Sequence, residues 1–343
     1  LMYKNLGNGQ MEPYEFRKTR EIDLWVFAPR FADMNGDGLV DLPVVSDFNS
    51  SKLYLNVGDG MFELDVSATQ SLTDENGMGS AIADYDNDGD LDWFISSIFG
   101  QHDPIKDSHA GTGNRFYRND VGLQLTDVTG ESGLRRGGWG WAASFGDFDN
   151  DGDLDLYHAN GWIQDEEEGD PLEFHNEANK LFENVEDGQY QEVAEQSGTG
   201  LKGQARGIIV FDYDNDGDLD IFVTNNQEYV EMDGVLQRTP ASPVLLRNDT
   251  YNGNHWVKVE LEGNARHHSH GIGARIYVTV NGVTQLRELH ASTNYATQEP
   301  GRIAHFGIGE SSVIEEIRVV WPNGEMSVMN QVSADRLISI SSP

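Results

Sequence analysis

The stretch DYDNDGDLD fills residues 84–92 and recurs unchanged at 212–220, with DFDNDGDLD at 147–155 between them and DMNGDGLVD at 33–41 ahead. Five carboxylates in nine residues repel one another at short range, which opposes a compact chain unless a positive charge sits among them. The spacing says what that charge is. Positions 1, 3 and 5 carry oxygen side chains, position 6 is glycine where the backbone turns sharply, position 7 can offer its carbonyl, and position 9 is Asp in all four copies. An all-oxygen set of this kind suits a hard cation such as Ca²⁺. A helical calcium loop would carry Glu at position 12; here Val44, Ile95, His158 and Val223 stand there, inside strand-like runs, so each loop is predicted to join two strands. The competing reading is an Asx-rich turn without metal, which does not require Asp at position 9.

The first aspartates stand 51, 63 and 65 residues apart, and each interval has one grammar. Small and apolar residues lead in (SAIAD, WAASFGD, GIIVFD), a β-rich run leaves (LDWFISS, LDLYHAN, LDIFVTN), and an insert precedes a strand ending in Asn (KLYLN, NRFYRN, KLFEN, VLLRN). A closing strand follows in FELDVS, LQLTDVT and YQEVAE. Four short strands per unit, with no convincing amphipathic helix, predict an all-β fold of propeller blades. The opening LMYKNLGNGQMEPYEF matches the tail of such a unit, so at least four blades plus a tail strand of a fifth are expected within a larger ring.

Charge narrows the partners. The chain has 58 acidic and 23 basic residues, a formal net charge of -35, which argues against nucleic acid and anionic membranes. The four loops hold 18 of those acids, and the remainder predict a solvated acidic surface. There is no cysteine, so neither a disulfide framework nor a thiolate site is available. No apolar run approaches the roughly 20 residues that span a bilayer, so no transmembrane segment is expected.

This grammar resembles the FG-GAP or VCBS repeat of integrin-type β-propellers, over residues 1 to about 250. The resemblance implies about four Ca²⁺ ions: one on Asp33, Asn35, Asp37 and Asp41, and one on Asp84, Asp86, Asp88 and Asp92. The third and fourth would use Asp147, Asp149, Asp151 and Asp155, then Asp212, Asp214, Asp216 and Asp220, with the carbonyls of Leu39, Asp90, Asp153 and Asp218 completing the four sets. The first set has one carboxylate fewer and is expected to bind most weakly.

From residue 251 to 343 the Asp loops stop, and HWVKVELEG, ARIYVTVNG, QLRELHAS and IEEIRVVWPNG read as half-buried strands of a β-sandwich-like module. Within it GIGARIYVTVNG, QLRELHASTNYATQEP, HFGIG and IRVVWPNG resemble the ASPIC/UnbV domain, which follows FG-GAP repeats in the cartilage acidic protein family.

Antiparallel blades alternate their connections, so the inserts at 97–113, 160–178 and 225–243 are expected on the face opposite the Asp loops. They are joined there by Arg135, Arg136, Trp139 and Trp141 of ESGLRRGGWGW. That face is the expected ligand surface, Arg206 included, unless the inserts are only solvated loops. His102, Asp103, Asp107 and His109, the run ARHHSHGIG with His267, His268 and His270, and DEEEGD at 165–170 read more simply as loop polars than as metal sites. No G-x-S-x-G, H-E-x-x-H or phosphate-binding loop is present. The reading is a calcium-binding secreted or cell-surface interaction protein, extracellular or periplasmic, for a protein or glycan partner. The alternatives are an enzyme acting on a carbohydrate or natural product near Trp141 and Arg206, and an accessory subunit of a larger assembly.

Overall fold

The N-terminal residues pair as a hairpin of β1 (Met2–Gly7) and β2 (Gln10–Tyr14), so the tail read as one strand is two. The computed structural model describes residues 2–7, 9–14, 25–100, 111–162, 174, 177–186, 188–233, 235–264, 268–290, 293–294, 297–298 and 302–343. Three four-stranded antiparallel sheets follow in simple up-and-down order. Blade one is β3 (Val26–Pro29), β4 (Leu42–Ser46), β5 (Lys52–Asn56) and β6 (Phe62–Leu64). Blade two is β7 (Ser80–Ala83), β8 (Asp92–Ile95), β9 (Arg115–Asp120) and β10 (Gln124–Asp127). Blade three is β11 (Gly140–Gly146), β12 (Asp155–Asn160), β13 (Lys180–Glu186) and β14 (Gln189–Glu192). The closing strands are shorter than the sequence suggested, because their ends coil into helical turns α1 (Val66–Ser71), α2 (Thr129–Ser132) and α3 (Ala194–Ser197). At the first of these the Asp65 side chain accepts the Ala68 amide and so caps the helix.

Blade four departs from the pattern. β15 (Ala205–Phe211) and β16 (Asp220–Asn225) pair as expected, but the insert at 225–243 forms its own hairpin, β17 (Gln227–Met232) and β18 (Val235–Pro240). The sheet then ends at β19 (Val244–Leu246), with three strands. Its third strand reaches the loop through Asn248, as in the other units.

The sheets stack face to face in chain order, which makes every interface a two-sided apolar layer. Val45, Trp93 and Tyr117 lie between blades one and two. Phe94, Phe116, Leu156 and Phe182 fill the next layer, and Trp139, Tyr157, Ile208 and Val223 the third. The first strands β7, β11 and β15 therefore run side by side at the inner edge.

The C-terminal module is a sandwich of two sheets. One joins β20 (Trp256–Glu262), β25 (Ile303–Gly307) and β28 (Arg336–Ser341); the other joins β21 (Arg275–Val280), β22 (Val283–Glu288), β26 (Val313–Val320) and β27 (Met326–Ser333). Val257, Val259, Ile276, Phe306, Ile317 and Trp321 fill the space between them. β22 packs on β7, while the two-residue strands β23 (Thr293–Asn294) and β24 (Thr297–Gln298) reach β3, β11 and β15. The module thus sits where the inner strands converge.

Candidate metal centres

Every Asp loop is built on one hydrogen-bond frame. Position 4 is left-handed (Gly36, and Asn87, Asn150 and Asn215 at φ 58°, 62° and 65°), and so is the glycine at position 6, with φ between 87° and 104°. Asparagine tolerates that region and glycine enters it freely, so two reversals in three residues curl the odd-numbered side chains inward. The position 1 carboxylate then accepts the position 6 amide: Gly38 to Asp33, Gly89 to Asp84, Gly152 to Asp147 and Gly217 to Asp212, at 2.8, 3.2, 3.0 and 3.0 Å. Position 5 accepts the amide of position 7 in all four, as in Asp90 to Asp88 at 2.9 Å.

Position 9 brackets the loop. Its Oδ2 accepts the position 2 amide, and its Oδ1 accepts the backbone amide of the Asn that ends the third strand. Asp92 receives Tyr85 at 3.1 Å and Asn119 at 2.8 Å; Asp155 receives Phe148 at 3.1 Å and Asn184 at 2.9 Å. Asp41 and Asp220 repeat the arrangement with Asn56 and Asn248. The Asn side chains add a stitch between blades. Asn119 donates to Met34 O of the preceding loop at 2.8 Å, and Asn248 to Phe148 O at 2.6 Å. The strand-ending Asn was visible in the sequence, but its partner was not.

Carboxylate oxygens converge in three loops, on Asp84, Asp86 and Asp92, on Asp147, Asp149 and Asp151, and on Asp212, Asp214 and Asp216, each group within 4.8 Å. In the first loop Asn35 donates its amide to Asp37 Oδ2 at 3.0 Å instead. The side chain of Asp218 turns outward and accepts from Asn150 of the neighbouring loop at 2.8 Å.

The electrostatics are those of anions gathered with too little compensation. Burial, reinforced by nearby carboxylates, pushes Asp147 up to about 8 and Asp41 up to about 7. Burial likewise raises Asp84 to about 7, against the opposing pull of Arg287. Asp92 and Asp155 are raised well above the usual carboxylate range by burial. Asp147 Oδ1 is buried without a hydrogen-bond donor. A buried carboxylate oxygen lacking a donor is costly, and a hard cation at the centre of the loop would satisfy it. The residues fit Ca²⁺, which tolerates irregular sets of six to eight oxygens, better than Mg²⁺, which demands a near-ideal octahedron.

The aromatic and basic residues singled out in the sequence lie at the other end of the same strands: Trp141 opens β11 and Asp147 follows it, while Arg206 opens β15 and Asp212 follows it. Trp139 stacks on Trp162 at 4.6 Å and 7°, and the Arg206 guanidinium lies 3.8 Å over Trp141. Arg206 Nη1 donates to Gly161 O at 2.8 Å, and Trp141 Nε1 donates to the same carbonyl at 2.9 Å. Trp139, Trp141 and Arg206 are all buried. Arg136 is exposed over Phe99, and Arg135 donates to Thr112 O at 3.3 Å. His102, Asp103, Asp107, His109, His267 and residues 165–170 lie outside the described residues. His268 and His270 stand with ring centroids 5.8 Å apart, and His270 Nε2 lies 2.8 Å from Arg302.

A model described as FG-GAP-like repeat matches residues 33–95 and 173–223, covering three of the four loop-bearing strand pairs in part or whole, and a model described as ASPIC and UnbV matches 263–343. The chain carries FG-GAP-like repeats and an ASPIC and UnbV domain. Among curated proteins it is similar to cartilage acidic protein 1 of Homo sapiens, 26% identical over 82% of this chain and 39% of that protein. It is also similar to that of Mus musculus, 25% identical over 84% and 40%. The chain therefore spans about two fifths of the length of these relatives. The V. cholerae biofilm matrix protein Bap1, at 13% identity over 89% of this chain and 48% of that one, superposes with a TM-score of 0.23, too low to equate the folds.

Proposed function

We propose that this chain is part of an extracellular, calcium-stabilised interaction protein whose four Asp loops bind about four Ca²⁺ ions and hold the blades of a larger ring. The observation that carries the reading is the common loop frame, in which position 1 of the third loop keeps a buried carboxylate oxygen with no donor. The similarity to cartilage acidic protein 1 and the FG-GAP-like repeats support an extracellular role in protein interaction. No helix among the described residues is long and apolar enough to cross a membrane. Millimolar extracellular Ca²⁺ would fill even modest sites. The partner, a protein or a glycan, would dock on the face away from the loops, where Arg136 is exposed and the inserts emerge.

Native mass spectrometry with and without calcium tests the stoichiometry, and calorimetry in EDTA tests its structural role. Each site at about 100 times its Kd contributes about 2.7 kcal/mol. Retention of about four ions with a lower melting temperature in EDTA supports the reading; no bound calcium and an unchanged melting temperature overturn it.

A further inference from the structure

The C-terminal module does not merely follow the blades. It places a cation against the position 1 carboxylate of the first and fourth loops. Lys258 Nζ meets Asp212 Oδ2 at 2.5 Å, and Arg275 Nη2 meets Asp33 Oδ2 at 3.2 Å. Arg287 lines the same cavity as Asp147, and its charge opposes the rise of both Asp84 and Asp147. Lysine is almost never fully buried unless paired, yet Lys258 is 6% exposed. The cations reach Oδ2, which also accepts the position 6 amide, and Oδ1 is engaged inside the loop by Asp37 N–H in Asp33 and by Asn215 N–H in Asp212. Backbone contacts complete the seat. Gly309 N–H donates to Asn150 O at 2.8 Å, and His305 Nε2 lies 2.9 Å from Gly217 O. Each of those acceptors is at one of the two left-handed positions of a loop, so the module reads the folded shape of the loop and not only its charge.

We infer that the ASPIC and UnbV module is a metal-dependent cap, docked through Lys258 and Arg275 on loops whose position 4 and position 6 carbonyls a bound cation holds in the shape it recognises. This rests on the calcium reading above. A metal-free loop carries up to five mutually repelling carboxylates against about one module cation, and its carbonyls lose the fixed positions that Gly309 and His305 require. Coupling is reciprocal, so docking also favours metal retention. Lys258 and Arg275 are positioning residues that select one orientation of the cap.

Hydrogen exchange on the full chain, in calcium and in EDTA, tests the inference. The Gly309 amide donates across the interface, whereas the amides of β21 and β26 donate within the module. The expected result is that EDTA speeds exchange at Gly309 by about tenfold or more, within the range of typical coupling, while β21 and β26 stay protected. Gly307→Ala supplies a second probe in excess calcium. Its Cβ would stand 2.1 Å from Asp147 Oδ2 and 2.5 Å from Asn150 Cα, a wedge at the interface. The same release at Gly309 is expected there, and in the Lys258→Gln/Arg275→Gln double variant, but not in Arg318→Gln, whose partner Glu316 lies within the module. Calcium binding by titration with Gly309 exchange unchanged or slowed in EDTA overturns the cap alone. No calcium binding overturns the metal reading itself.

Discussion

Replacing Asp155 by asparagine tests the bracket that position 9 forms in the structure. Its two oxygens accept buried amides of Phe148 and Asn184, at 3.1 and 2.9 Å. Asparagine keeps one acceptor and turns an NH₂ toward the other amide. One accepted bond is lost and a buried N–H is left facing a donor, together about 3 kcal/mol. In a chain of 343 residues that corresponds to a melting temperature lower by roughly 4 °C. The cost does not depend on metal, so it persists in EDTA. Asp149→Asn is the control. Asp149 accepts the Asp151 amide at 3.2 Å, a bond the asparagine oxygen can keep. In EDTA it is expected within about 0.5 kcal/mol of wild type, and in calcium to lose up to the increment of one site, about 2.7 kcal/mol at 100 times Kd. Differential scanning calorimetry of both variants, in excess calcium and in EDTA, gives the four values needed. Equal losses in EDTA would refute the bracket, leaving position 9 as a plain ligand.

Three further outcomes follow from the same frame. In EDTA, Asp41, Asp84 and Asp147 hold protons in the folded state that the unfolded chain, with carboxyls near 3.8, has released. Raised folded values stabilise below the unfolded pKa, so the melting temperature of the metal-free protein should fall as pH rises from about 4 through 8; a rise across that window refutes the assignment. Asn248→Ala removes the stitch to Phe148 O and should cost about 1 kcal/mol by chemical denaturation, whereas Arg247→Ala, which breaks an exposed pair with Asp249, should leave the midpoint unchanged. Trp162→Ala unstacks Trp139 and loosens Trp141 and should cost about 3 kcal/mol, seen as a lower urea midpoint with blade three most affected in hydrogen exchange.

What the sequence showed and what it hid divide along physical lines. Glycine at position 6, the run of odd-numbered acids and the strands on either side are local, and local rules placed them. The left-handed position 4 was missed because asparagine there reads as one more polar residue among aspartates. The module's seat was missed for a different reason. In β20, Val257, Val259 and Leu261 alternate into the sandwich core, so alternation predicts that Lys258 faces water. Its burial shows that the second face of that sheet rests on the fourth loop, and His305 in β25 repeats the pattern between Ala304 and Phe306. A single-face pattern in sequence cannot reveal that a polar face is also covered, because the covering partner is almost two hundred residues of blades, not a neighbouring strand. The three-stranded fourth sheet was hidden by its insert, whose β-rich residues pair with each other in β17 and β18.

The asparagine tie has a consequence for how such arrays change length. Asn119 and Asn248 each grip a backbone carbonyl at the second position of the loop before, an atom that every unit presents whatever its side chains. The same join recurs at the seam of blades one and two and at that of blades three and four. A gene that gained or dropped one whole unit would meet the same grip at the new seam, whereas a cut inside a unit would part an Asn from its loop and strand two amides at once.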